Sequence, residues 1–205
     1  MTRLFECFPD LTQEQRAAFV TMEALYREWN ARINVISRKD MDNFCVHHAL
    51  HSLAIAKAIS FPAGSHILDL GTGGGFPGIP LAVLFPDCRF TLCDSIGKKI
   101  RVAEAVAEGI GLKNVEFRNC RAEELKSPYD YVVSRAVTDL SSFYPWVRGK
   151  FRKAVFYLKG GNLEEEIVRC CRDCRLSPDN FLQLDISDFF ADEFFKEKKI
   201  VIISQ

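Results

Sequence analysis

Asp69-Leu70-Gly71-Thr72-Gly73-Gly74-Gly75-Phe76-Pro77-Gly78-Ile79-Pro80 puts a run of glycines in a sharp turn directly after a short apolar strand and directly before a helix. Gly71, Gly73 and Gly75 can take positive φ and carry no Cβ, so a ligand can lie against bare backbone N–H groups there. A sheet carries a nucleotide-like ligand in this way. Downstream, strand and helix alternate. Strands are expected at His66–Leu70, Arg89–Cys93, Val115–Arg118, Tyr131–Ser134 and Val155–Leu158, with two more at Phe181–Ile186 and Ile200–Ser204. Helices are expected at Ile79–Phe85, Lys98–Glu108, about Leu140 to Val147, and Leu163 to about Cys174. Apolar runs such as Tyr131-Val132-Val133 lack period-two alternation, as strands covered on both faces do. The expected fold class is α/β, a doubly wound, mostly parallel, Rossmann-like sheet of seven strands.

Upstream the pattern is helical. Thr12 with Gln15 makes a capping box, and Phe19, Met22, Leu25, Tyr26 and Trp29 recur behind it at helical spacing. A second helix is expected from about Met41 to Ile59, burying Phe44, Leu50, Leu53 and Ile59, and Pro62-Ala63-Gly64 ends the pattern. The chain therefore divides into an N-terminal helical extension, 1–62, and a sheet domain, 63–205. A length of 205 residues with 48% hydrophobic content suits one ordinary domain with a small appendage. No long apolar run suggests a membrane span, and no signal peptide opens the chain. The eight scattered cysteines read as reduced thiols of a cytoplasmic protein.

Lys+Arg and Asp+Glu are equal at 27 each, so net charge draws the protein toward neither nucleic acid nor anionic membrane. Any polyanion must be met by a local patch. Arg148, Lys150, Arg152 and Lys153 form one candidate and Lys98, Lys99 and Arg101 another; each also reads as a solvated face.

Gly73 to Gly78 matches the dinucleotide fingerprint G-x-G-x-x-G. Asp94, roughly 20 residues on, stands where a carboxylate accepts both ribose hydroxyls of NAD or of S-adenosylmethionine, or simply caps a strand end. Asp69 can orient the turn and meet the ammonium of an amino-acid moiety. Phe76-Pro77 narrows the turn where a pyrophosphate would pass. Both favour S-adenosylmethionine, which is cationic and carries no phosphate.

Five stretches then match something more specific: the glycine turn, Leu92-Cys93-Asp94-Ser95-Ile96-Gly97-Lys98-Lys99, Arg121-Ala122-Glu123-Glu124, Ser134-Arg135-Ala136 and Leu158-Lys159-Gly160. In order and spacing they resemble the glucose-inhibited division protein B family, and the likeness reaches upstream through Trp29-Asn30, Ile33-Asn34 and His48 followed by Ser52-Leu53. The resemblance implies a class I methyltransferase that moves a methyl group from S-adenosylmethionine to N7 of one guanine in 16S ribosomal RNA of the bacterial small subunit. By matching position, Gly71 and Phe76 contact the cofactor, Ala122 and Glu123 flank the adenine, and Arg135 closes the site. The expected partner is small-subunit ribosomal RNA or the assembling 30S subunit, met by a monomer with no metal. One departure stands out: the family usually shows Arg-His-x-x-Asp-Ser-Leu where this chain has His47-His48-x-x-His51-Ser52-Leu53.

Guanine N7 attacks with a free lone pair and loses no proton, so the reaction needs orientation and no general base. Accordingly, Arg135-Ala136 follows the fourth strand in place of the Asn/Asp-Pro-Pro-aromatic pattern of exocyclic-amine methylation, and no Pro-Cys pair offers a nucleophile. Arg135, the catalytic candidate, can donate to the guanine O6 edge or a phosphate, or pair with Glu123. Lys159 can meet RNA phosphate or simply face solvent. His47 and His51 have metal-ligand spacing without a third ligand, whereas His48 is expected to bond toward the RNA cleft. Phe143, Tyr144 and Trp146 can stack a base or pack the core. Cys170, Cys171 and Cys174 read as thiols on one helix. A Cβ at Gly73 is expected to clash with the bound cofactor.

Overall fold

The computed structural model describes residues 1–126 and 128–204. At the N-terminus, α1 (Thr2–Cys7) precedes α2 (Gln13–Arg32). The capping box that starts α2 is complete, since the Thr12 hydroxyl accepts from Gln15 N–H and the Gln15 amide oxygen accepts from Thr12 N–H. The single helix expected from Met41 to Ile59 is instead a composite: a 3-10 turn Arg38–Asn43, a π-helical stretch Phe44–Leu50, then α3 (His51–Leu53) and α4 (Ile55–Ala58). Side chains compete for its carbonyls, Ser52 bonding to His48 O at 2.7 Å and Arg135 to His47 O at 3.3 Å, which loosens the regular ladder. Ile59 leaves the helix in extended conformation.

The α/β alternation follows: β1 (His66–Leu70), α5 (Gly78–Leu84), β2 (Arg89–Cys93), α6 (Gly97–Gly109), β3 (Val115–Arg118), β4 (Tyr129–Arg135), α7 (Leu140–Val147), β5 (Phe151–Gly160), α8 (Glu164–Cys174), β6 (Phe181–Asp185) and β7 (Lys198–Ser204). The seven strands form one sheet in the order β3-β2-β1-β4-β5-β7-β6. Strands β1 to β5 run parallel, and β7 is antiparallel to both β5 and β6. The doubly wound sheet of seven strands is thus as expected.

Strand β5 begins four residues earlier than the expected Val155, at Phe151, paired with Tyr129. A register irregularity between Tyr129 and Tyr131 accompanies this pairing and leaves Arg152 and Lys153 both exposed. The basic run Arg148–Lys153 therefore lies at the N-terminal edge of the parallel strands. Arg148 bonds to the Cys174 carbonyl and lies over Tyr144, and Lys153 sits 5.1 Å from the Tyr131 ring centre.

Each sheet face carries an apolar core. On one, Ile67, Leu92, Val133 and Phe156 pack with α5, α6 and the N-terminal helices, whose Phe19, Met22, Tyr26, Phe44 and Leu53 are fully buried. Phe190 and Phe195, from the segment before β7, join them. On the other, Leu68, Val132 and Tyr157 pack with α7 and α8, burying Phe143, Cys170 and Cys174. Residues 1–62 thus share a continuous core with the sheet.

Candidate active site

Strand order reverses between β1 and β4, the place where an open parallel sheet leaves a crevice at its strand C-termini. A cleft of about 570 Å³ opens there, lined by the turn after β1, Asp94 after β2, Ala122 and Glu123 after β3, and Arg135 at the end of β4.

The turn is held from below. Asp69 is fully buried, and its Oδ2 accepts from Gly78 N–H at 2.7 Å and from the Thr72 hydroxyl at 2.5 Å. Burial pushes this carboxyl up to about 7. Through Oδ2 the side chain orients the turn from the core side, and its Oδ1 is buried without a hydrogen-bond partner. Gly75 likewise faces the core, where a Cβ would meet Ile79 and the Tyr26 hydroxyl. Gly71 lines the cleft at φ +71°, and a Cβ there would come within 2.5 Å of Val137. Gly73 also lines it, at φ +58°, but a Cβ on it would have no protein atom within 4 Å, so the constraint there on the protein's side is conformational rather than steric.

Asp94 joins two strand ends: Oδ2 accepts from Gly73 N–H at 2.9 Å and Oδ1 from Ile96 N–H at 2.8 Å. Each oxygen keeps a lone pair for a ribose hydroxyl. Ala122 and Glu123 sit on a 3-10 turn, Ala122–Glu124, at the cleft wall. Phe76 is 3% exposed and lines the cleft with one side while Tyr26 packs 4.7 Å from it on the other.

Arg135 stands with its guanidinium 4.9 Å over the Phe76 ring. Its bonds go to His47 O and His48 Nδ1, each at 3.3 Å, rather than to Glu123. Burial lowers its pKa to about 10, which leaves it charged at neutral pH. His48 is bonded on its far side to Asp40 at 2.8 Å, and burial together with the Arg135 charge pulls the ring down to about 4. His47 bonds to Asp40 at 2.6 Å and stacks on Phe194, while His51 meets Phe194 edge-on. The two therefore flank one aromatic ring rather than converge. Among the described residues no group of three His, Cys, Asp or Glu side chains is placed to hold a metal ion.

Neither expectation for Lys159 holds: it is largely buried, paired with Glu166 and bonded to Thr138 O at 3.0 Å. Phe143 and Tyr144 are core residues, but Trp146 from the same helix lines the cleft. Sequence reasoning had no reason to bring Val35 here. Buried Asn30 brings it, its Oδ1 accepting from Val35 and Ile36 N–H at 2.8 and 2.9 Å. The Cys93 and Cys120 thiols also meet at the cleft, 3.7 Å apart.

A helix N-terminus that takes a phosphate must offer free N–H groups. Here Gly78 N–H is given to Asp69, and the N–H groups of Gly75 and Phe76 go to Thr72 O. Those three donors are committed within the protein, which disfavours a pyrophosphate at the start of α5 and suits a sulfonium amino-acid nucleoside. Together with the reversed β7 beside β5, this defines a class I methyltransferase.

The chain belongs to the GidB family, described as rRNA small subunit methyltransferase G, whose model matches residues 15–187. It is 50% identical over 209 residues to ribosomal RNA small subunit methyltransferase G of Flavobacterium psychrophilum, covering 98% of this chain and 96% of that one. It is 49% identical over 212 residues to the protein of the same name from Bacteroides fragilis, covering the whole of both. Among solved structures, magnesium protoporphyrin IX methyltransferase of Synechocystis PCC 6803 with bound SAM superimposes with TM-score 0.60 at 15% identity, over 96% of this chain and 99% of that one. Ribosomal protein L11 methylase of Lactobacillus delbrueckii subsp. bulgaricus gives TM-score 0.58 at 16% identity, over 76% and 77%. Likeness at these identities speaks to the fold.

Proposed function

We propose that this protein methylates N7 of one guanine in 16S ribosomal RNA, with S-adenosylmethionine as donor. The observation that carries the choice of atom is Arg135. The residue at the end of β4 has five N–H donors and no acceptor, so it cannot take a proton from an attacking amine. An acceptor that loses no proton suits it, and N7 is such an atom. S-adenosylmethionine supplies an electrophilic methyl group on a sulfonium.

The chain's own residues hold and orient. Asp94 receives the ribose hydroxyls, Ala122 and Glu123 flank the adenine, and Gly71, Gly73 and Phe76 form the floor. Asp69 and Gly75 act on the turn from beneath. Arg135 then faces the acceptor, its N–H groups directed at guanine O6 or a backbone phosphate. Basic residues at the start of α6, Lys98 and Lys99, with Arg101 behind them, stand at the cleft side of the sheet and are the surface that meets RNA; Lys99 lines the cleft. With no net charge to attract naked RNA, the protein acts as a monomer on the assembled or assembling 30S subunit, where protein contacts add to the phosphate ones. The work is cytoplasmic, and among the described residues no helix is long and apolar enough to cross a membrane.

Small subunits from a strain lacking the activity, incubated with the protein and methyl-labelled cofactor, are expected to gain label at a single guanine N7, mapped by borohydride and aniline cleavage. Absence of label at every guanine N7 overturns the assignment.

A further inference from the structure

Arg135 belongs to the sheet, yet both of its hydrogen bonds end on the N-terminal extension. Because arginine has no acceptor, the 3.3 Å contact between its Nη2 and His48 Nδ1 makes Nδ1 the unprotonated nitrogen. The proton of the neutral ring then sits on Nε2 and is donated to Asp40 Oδ2 at 2.8 Å. Asp40 is itself held, its Oδ1 accepting from Asn43 Nδ2 at 3.1 Å and facing His47 Nδ1 at 2.6 Å. The second bond of Arg135 ends on the His47 carbonyl, inside the π-helical stretch Phe44–Leu50. A wide helical turn of this kind recurs at functional sites because it re-aims carbonyls and side chains. Phe76 completes the seat from below, and the His48 ring packs 5.4 Å from it.

We infer that Asp40 and His48 are a positioning pair for Arg135: Asp40 selects the His48 tautomer, and His48 with the His47 carbonyl fixes the guanidinium over Phe76 at the reacting end of the cleft. The inference rests on the reading of Arg135 as the residue that faces the acceptor. It gives residues 38–50 a direct part in turnover, in addition to their part in the core.

His48→Phe keeps the ring's packing and removes both nitrogens. Asp40→Ala acts at a side chain that is 30% exposed and so tests the same link with little risk to folding. In the wild-type background each is expected to lower kcat about tenfold with little change in the KM for the cofactor, and in an Arg135→Ala background each is expected to lower it by less than about twofold. Equal losses in the two backgrounds, or no loss in the wild type, overturn the pairing. A readout without turnover comes from ¹⁵N–¹H spectra of the histidine side chains. At neutral pH His48 is expected as the Nε2–H tautomer, becoming mixed in Asp40→Ala. An Nδ1–H tautomer in the wild type overturns the inference. If Arg135→Ala itself turns over at the wild-type rate, the reading of Arg135 fails, and the spectra still judge the pair.

Discussion

Asp69 has no exposure to solvent, and its carboxyl takes the Gly78 N–H at the start of α5, a donor that a phosphate placed there would need. Asp69→Ala leaves Gly78 N–H buried without an acceptor and frees Thr72. It should cost about 2–3 kcal/mol in urea unfolding and weaken binding of S-adenosylhomocysteine about tenfold by calorimetry, although no atom of Asp69 lines the cleft. Unchanged affinity in a folded variant counts against the turn-orienting role. Gly71 and Asp94 were legible in the sequence because each follows directly on a strand end, where one-dimensional spacing translates into place. Val35, Trp146 and the His48–Arg135 bond were not, since each depends on a second element arriving from elsewhere in the chain.

Helix α2 does more than cover the sheet. Tyr26, fully buried, donates its hydroxyl to Gly74 O at 2.5 Å, and Val35 beyond the helix end packs where a Cβ on Gly74 would fall. Tyr26→Phe removes one buried hydrogen bond and leaves a carbonyl unpaired, an expected loss of about 1–2 kcal/mol in stability with a severalfold rise in the Kd for S-adenosylhomocysteine. A stability loss with unchanged Kd means that α2 supports the core alone. Helical periodicity identified α2 and its capping box correctly because both signals are local. It misread Met41–Ile59 as one regular helix, since the deviations there come from Asp40, Ser52 and Arg135 bonding to groups within the segment.

At the scale of the whole molecule, buried titratable groups govern the response to acid. His48 and His51 stay neutral in the fold well below the ordinary imidazole pKa, both through burial, so between about pH 6.5 and 4 the unfolded chain binds two protons that the native one refuses. Asp69 acts with the opposite sign: raised to about 7, it holds a proton in the fold that the unfolded chain has released. His66, also lowered by burial, adds to the two histidines, and together they outweigh the single carboxyl, so stability should fall on acidification through this window. Urea unfolding at pH 6.5 and 5 measures it, and His48→Phe is expected to flatten the slope; a wild-type profile that is flat or rises toward acid rejects the assignment. The sequence by itself determined the alternation of strands and helices, the glycine turn, the carboxylate Asp94 at the end of β2 and the family, because all of these are written in local spacing, motif order and hydrophobic period. Only the tertiary structure decided that Gly78 N–H is given to buried Asp69, that the basic run at Arg148–Lys153 lies at the far edge of the sheet, and that Arg135 is seated by the N-terminal extension. Each of these is a contact between residues distant along the chain, made only when the shared core brings their elements together.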